Sequence, residues 1–208
     1  MEIFDIYDEH MNPIGTATRS DVHKYGYWHQ TFHCWLVRTE GHRRMLRFQR
    51  RHSSKDTYPS LFDITVAGHL AAGETIADAV REIEEELGIA PHFEDLVKLG
   101  EYREESTAEA NGIPFIDREL SHVFGWQCDV PLGSLKMQPE EVTGVYEADL
   151  EEMIALFRGG LAEITAAGIE PDRGGQPFPV TRRVRVSDFV PRELSYYTGM
   201  FEALRSLG

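Results

Sequence analysis

Short strand-like runs interspersed with helical segments predict an α/β sandwich, with α+β as the neighbouring class. Bulk properties agree. The chain has 208 residues, 41% of them hydrophobic and 27% charged, a globular balance long enough to bury a real core. No linker is long or polar enough to divide it, so one domain spanning 1–208 is expected.

The elements follow in order. Ile3, Phe4, Ile6 and Tyr7 are strand-like, His10 to Pro13 read as a turn, and Ile14 to Thr18 return, giving a hairpin within residues 1–18. A polar connection follows, with His23, His29 and His33 nearby. Thr31 to Val37 is a strong strand, Gly41 to Arg43 a turn, and Met45 to Gln49 the next strand. Asp63 to Ala67 is a short strand, and Gly68 leads from it towards a helix over about Thr75 to Leu87. Val97 to Tyr102 and Ser121 to Cys128 read as strands. Between them Arg103 to Asp117, polar and containing Asn111-Gly112, reads as a long loop or a hairpin. Val142 to Tyr146 is a strand and Asp149 to Phe157 a helix capped by Asp149. Ala162 to Ala166 reads as a second short helix. Gly168 to Pro179, with three Gly and three Pro, reads as a loop. Arg182 to Val186 is strand-like, and Arg192 to Leu207 a closing helix.

Charge excludes some functions. Lys and Arg total 21 against 35 Asp and Glu, a formal net charge of −14. That balance disfavours broad binding to nucleic acid or anionic membrane and suits a protein that concentrates divalent cations. The longest apolar stretches, such as Thr31 to Val37, fall far short of the roughly 18 residues a membrane span needs. The start, MEIFDIYDEH, is acidic and carries no secretory pattern, so a cytoplasmic protein is expected. Cys34 and Cys128 are isolated and read as reduced core residues.

The chemistry concentrates in GHLAAGETIADAVREIEEELGI, Gly68 to Ile89. On a helix, Ile76, Ala79, Val80, Ile83 and Leu87 share one arc, and Glu82, Glu85 and Glu86 crowd onto another. Like charges this close are costly unless compensated, and a hard divalent cation is the natural compensation. The alternative is a solvated acidic face. The setting favours the cation. Thr75 and Asp78 form a capping-box pattern, Gly88 is placed to end the helix in a left-handed conformation, and Gly68 and Gly73 permit a tight loop before it.

This segment resembles the signature of the Nudix hydrolases: Gly, five residues, Glu, seven residues, then Arg-Glu-apolar-any-Glu-Glu-any-Gly-apolar. Gly68 and Glu74 match, and Arg81-Glu82-Ile83-Glu84-Glu85-Glu86-Leu87-Gly88-Ile89 matches throughout. Only six residues, Thr75 to Val80, separate Glu74 from Arg81; absorption in the turn before the helix is the easier accommodation. The resemblance implies an α/β/α sandwich around a mixed sheet, with a core over about 28–160 and an extension over about 168–208. It implies hydrolysis of a nucleoside diphosphate derivative or related organic diphosphate with Mg²⁺ or Mn²⁺. Carried onto this chain, Glu82, Glu85 and Glu86 are metal ligands with the Gly68 carbonyl, Arg81 orients the glutamates, and Glu74 is structural. Glu85 is the expected general base, with Glu119 the second choice.

A second resemblance is to the subgroup that includes isopentenyl-diphosphate isomerase. It rests on Gln49-Arg50-Arg51, Lys55, Pro59 and Gly68-His69. That enzyme carries a cysteine directly before the Gly-His pair, where this chain has Ala67. It also uses a histidine-rich metal site with two glutamates. His29, His69 and Glu119 stand at similar positions, with Asp117 near the remaining carboxylate and His23 one residue off in spacing. The expectation is an isomerase-like relative that hydrolyses, with isomerisation or a non-catalytic binding role as alternatives.

Other candidates keep two readings each. Arg50, Arg51, Lys55 and His69 either recognise the diphosphate or serve charge balance and structure. Glu119 is either a carboxylate facing the metal or a strand-edge charge. His29 and His33 are either ligands or hydrogen-bonded structural residues. Trp28, Tyr58 and Phe62 either contact the substrate or pack in the core. The expected partner is a small-molecule diphosphate, with no nucleic acid and no membrane; a homodimer is left open.

Overall fold

The computed structural model describes residues 2–55, 57–110, 113–172 and 174–207. The chain opens with the expected hairpin, β1 (Ile3–Tyr7) and β2 (Pro13–Thr18). Its turn is held by Asp8, whose Oδ1 accepts from the N–H groups of His10 and Asn12. A short helix, α1 (Arg19–Tyr25), then occupies part of the segment read as a polar connection. Thr18 caps it by accepting from the Asp21 N–H, and Gly26 closes it in the left-handed region.

The main sheet contains β3 (His29–Glu40), β4 (Arg43–Arg51), β5 (Phe62–Asp63) and β6 (Val66–His69). After α2 (Arg81–Leu87) come β7 (Val97–Ala110), β8 (Ile113–Gln127) and β9 (Val142–Asp149). Helix α3 (Leu150–Phe157), strands β10 (Ile164–Pro171) and β11 (Pro177–Val184), and helix α4 (Leu194–Leu204) complete the chain. Strand order is β11-β10-β9-β4-β3-β8-β7, with β5 beside β4 and β6 beside β3. The β3–β8 pair is parallel and the other pairs antiparallel, so the sheet is mixed.

Strands β3 and β4 pair only over Val37–Glu40 and Arg43–Leu46, then diverge. Beyond the fork, β6 pairs with β3 and β5 with β4. Thr65 sits at the fork, donating its hydroxyl to the Arg47 carbonyl and accepting from the Leu36 N–H. This bridge satisfies buried backbone groups that the parting strands would otherwise leave unpaired.

Alternation along β3 builds two cores. Phe32, Cys34 and Leu36 join Ala79, Val80, Ile83 and Leu87 of the α2 region. Trp35 and Val37 face α3 and α4 with Phe157, Tyr197 and Phe201. Helices thus cover both faces, the α/β/α arrangement expected. Cys34 and Cys128 are free and buried. Asp149 caps α3 as read, accepting from the N–H groups of Glu151 and Glu152.

Three expectations are corrected. Ala162 to Ala166 is not a helix: Ile164 and Ala166 are buried while Thr165 and Ala167 are exposed, the period of a strand. Gly168 to Pro179 is not a loop throughout, because it contains the end of β10 and the start of β11. Pro177 and Pro179 are tolerated because β11 is an edge strand that needs hydrogen bonds on one side only, and Pro171 ends β10 beyond the Ala167–Ile169 stretch that pairs with β9. The helix expected from Thr75 begins as a 3₁₀ turn, Asp78–Val80, and becomes α-helical at Arg81. Of the two readings of Arg103 to Asp117, the hairpin holds, with β7 and β8 paired from Val97↔Gly125 to Ala110↔Ile113. Asn111-Gly112 lies outside the described residues.

Candidate functional site: a charged cavity at the fork of the sheet

Beside the fork lies a cavity of about 370 Å³. Its walls come from β3, β4, β5, β6, β7, β8 and α2, joined by Glu2, Arg19 and Arg192. Glu82, Glu85 and Glu86 all line it, as does Gly68. A Cβ at Gly68 would stand 2.2 Å from the Glu82 carboxyl carbon, so only glycine lets that carboxylate pass so close to β6. Glu86 is buried and accepts from the Gln49 side-chain amide at 3.1 Å. Burial first, and then the neighbouring Glu82, pushes its carboxyl well above the usual range. Glu82 is also pushed up, chiefly by burial.

Arg81 organises this wall. Its Nε and Nη2 donate to the two oxygens of Glu74 at 2.6 and 3.0 Å. Its Nη1 lies 2.8 Å from Glu82 Oε1 and 3.1 Å from Glu85 Oε2. The shortened spacing between Glu74 and Arg81 therefore leaves a bidentate pair in place, with the 3₁₀ turn between them. Glu74 in turn accepts from the Ala71 N–H, tying the loop to the helix.

A second set of ligand-type atoms converges where His23, His69, Asp117 and Glu119 line the cavity. One donor atom from each of His23, His29 and His69 lies within 4.8 Å of the others, and the same holds for His29, Asp117 and Glu119. The three α2 carboxylates form no such group among the described residues. Glu119 Oε1 is 3.6 Å from His29 Nε2 and 3.5 Å from His69 Nε2, and Asp117 Oδ1 is 3.6 Å from His23 Nε2. His29 Nε2, His69 Nε2 and Asp117 Oδ1 are buried with no hydrogen-bond partner among the described residues. Orphaned buried atoms of this kind demand an explanation, and imidazole nitrogens converging with carboxylates are a donor set suited to a transition-metal cation. Burial, followed by Glu119, pushes the Asp117 carboxyl up to about 7. Burial also pushes on Glu119, but His29 and His69 outweigh it and hold that carboxyl well below its usual range.

The basic candidates separate. Arg51 and Lys55 line the cavity. Arg51 donates to Asp63 Oδ2 and to the carbonyl and hydroxyl of Thr57, and Lys55 pairs with Glu141. Arg50 is not part of the lining; its Nε donates to the Ser60 carbonyl. Tyr58 reaches the cavity. Phe62 is packed against Phe48, Tyr146 and Phe189, and Trp28 lies under the Arg103 guanidinium at 3.9 Å. His33 Nδ1 meets the Tyr196 hydroxyl at 3.0 Å.

Sequence reasoning missed part of the wall. Asp63, 1% exposed, lies between two guanidiniums: Arg192 Nη1 donates to its Oδ1 at 2.6 Å and Arg51 Nη1 to its Oδ2 at 3.0 Å. Glu104 and Ser106 of β7 also line the cavity. Arg192 and Asp63 are 129 positions apart, and no local pattern links them. Glu104 had one available signal, the alternation of β7, hidden while that segment was read partly as a loop.

Comparison with known proteins agrees with this architecture. The NUDIX domain family pattern matches residues 28–167. An uncharacterized Nudix hydrolase of Clostridium acetobutylicum is 37% identical over 203 residues, 98% of this chain and 97% of that protein. An isopentenyl-diphosphate Delta-isomerase of Mycolicibacterium vanbaalenii is 33% identical over 144 residues, 68% of this chain and 74% of that protein. The crystal structure of DR0079 from Deinococcus radiodurans superposes with a TM-score of 0.57 at 22% identity, covering 76% of this chain and 90% of that one.

Proposed function

We propose that this chain, which belongs to the Nudix hydrolase family and has isopentenyl-diphosphate isomerase relatives, hydrolyses the diphosphate linkage of a small organic diphosphate with the help of a divalent cation. The observation that carries the reading is the α2 wall: Glu82, Glu85 and Glu86 beside Gly68, with Arg51 and Lys55 in the same cavity. Glu82, Glu85, Glu86 and the Gly68 carbonyl would hold Mg²⁺ or Mn²⁺. Buried Glu86, held well above its usual range by burial and then by neighbouring Glu82, supports this, as does half-buried Glu82, which burial and then Glu85 push up despite Arg81 beside it. When bound, such a cation lowers the pKa of water and offsets charge on a diphosphate.

The chain's own groups divide the remaining work. Arg51 and Lys55 bind non-bridging phosphate oxygens. Glu85 accepts the proton of the attacking water as its oxygen bonds to phosphorus and the bridging P–O bond breaks. Arg81, fixed by Glu74, keeps Glu82 and Glu85 oriented. His69 and Glu119 also line the cavity, and with His23, His29 and Asp117 they make up a set suited to a second cation.

That histidine set also favours a second reading, isomerisation of an allylic diphosphate. Ala67 weighs against it, because a methyl group cannot exchange a proton with a carbon skeleton. The test is incubation of the full chain with a panel of organic diphosphates and Mg²⁺ or Mn²⁺, with products read by mass. Monophosphate or phosphate release that a chelator abolishes is expected. Glu85→Gln should lower turnover by about 10²-fold or more with the fold intact. Full activity in that variant would overturn the assignment of Glu85, and isomerisation of isopentenyl diphosphate without cleavage would overturn hydrolysis.

A further inference from the structure

We infer that the cavity wall formed by His33, Glu104, Ser106 and Arg192 receives a hydroxyl-bearing group of the substrate, and that Glu104 and Arg192 are specificity-determining residues that disfavour an alkyl chain. This rests on the diphosphate reading and deepens it.

Register places the residues. On one face of the sheet, Ala67 of β6 is opposite His33 of β3. His29 is opposite Glu119, and Glu119 is opposite Glu104. Asp117 is opposite Ser106. Side chains on one face stand perpendicular to the sheet, so these pairs project into the same space. Small Ala67 leaves room there, and its neighbours are an imidazole, carboxylates and a hydroxyl.

Arg192 completes this wall from the segment before α4, outside the residues matched by the family pattern. Its Nη1 is committed to Asp63 and, at 3.3 Å, to the Tyr197 hydroxyl. Its Nε is 3.7 Å from Glu104 Oε2. Its Nη2 donates to nothing among the described residues, yet the side chain is only 10% exposed. A rigid guanidinium with a spare donor beside a carboxylate acceptor is suited to neighbouring hydroxyls, which donate and accept.

The cavity offers little to an alkyl group. Phe4, Tyr58, Ala67, Ala71 and Val190 are its apolar and aromatic contributors, and Phe4 is already stacked on His69 at 4.7 Å. An alkyl chain here would strip water from Glu104 and Arg192 and return no hydrogen bond. Sites built to bind a hydroxyl reject analogues lacking it far more strongly than apolar pockets reject a small change in size.

The test uses the full chain with Mg²⁺ and two non-hydrolysable methylene-bridged diphosphonates, one carrying an isopentenyl group and one a ribosyl group. Affinities are measured by calorimetry. The ribosyl compound should bind at least about tenfold more tightly. Glu104→Gln and Arg192→Met should each bring the two affinities together by weakening the ribosyl compound. Equal or tighter binding of the isopentenyl compound overturns the inference, as does weakening of both compounds alike in Glu104→Gln, whose amide preserves shape if Arg192→Met fails to fold. Binding preference is read without turnover, so failure of hydrolysis would show separately, as intact parent diphosphates.

Discussion

At the scale of single residues, the cavity holds charges in protonation states that water would not favour. His33 is the clearest case. Burial, then the charge of Arg192, pushes its imidazole down to about 3, against about 6.5 in an unfolded chain. The folded ring therefore stays neutral while the unfolded one takes up a proton as pH falls below about 6.5. Stability should drop by about 1.4 kcal/mol per pH unit through that window and level off near pH 3. Denaturant unfolding of the wild type and His33→Gln across pH 6.5 to 4 checks this, because the variant should lack that component of the slope. Such residues explain how much of the site was legible. Glu74, Arg81, Glu82 and Glu85 meet within one stretch whose spacing can be read directly, and Glu86 lies in the same stretch. His33 meets Tyr196 and Asp63 meets Arg192 across 163 and 129 positions, distances over which no periodicity speaks.

At the scale of elements, local signals were decisive where an element carried its own punctuation. Helix α3 was legible from Asp149 and the run that follows it, and β3 from its apolar run, Thr31 to Val37. Helix α1 was missed although Thr18, Asp21 and Gly26 mark its ends, because seven mostly polar residues give little periodicity to read. The start of β10 reads as a helix because its small apolar run shows no clear period, and the start of β11 reads as a loop because Gly and Pro, usual marks of loops, are acceptable on an edge strand. The site helix α2 depends on its C-terminal stop. Gly88 has φ +68°, and a Cβ there would stand 2.7 Å from Lys136 Cβ. Gly88→Ala should cost about 1 kcal/mol or more, from left-handed strain and the clash together. Chemical denaturation would measure the loss, and turnover should fall with it as Glu85 and Glu86 lose their register near the helix end.

At the scale of the whole molecule, the segment beyond β11 is structural and functional at once. Phe189, Tyr196, Tyr197, Phe201, Leu204 and Leu207 pack with Phe157 of α3 over the sheet face lined by Trp35 and Val37, and Arg192 reaches the cavity from the same segment. Full burial of each large apolar side chain is worth about 1.5–3 kcal/mol. Losing six of them, about 9–18 kcal/mol, is as large as the margin of about 5–15 kcal/mol typical of a domain. A chain ending at Arg185 should therefore show no cooperative thermal transition by circular dichroism; a sharp melt near that of the full chain would contradict this. The parallel β3–β8 pair has a kinetic counterpart. Its partners, such as Thr31 and Ser121, lie 90 residues apart in sequence, so the chain must close a long loop before the central strands gain one another's support. Refolding from denaturant should be slow beside that of a helical bundle of equal length, and crowded solutions should catch the unpaired strands as aggregates before the centre of the sheet has zipped.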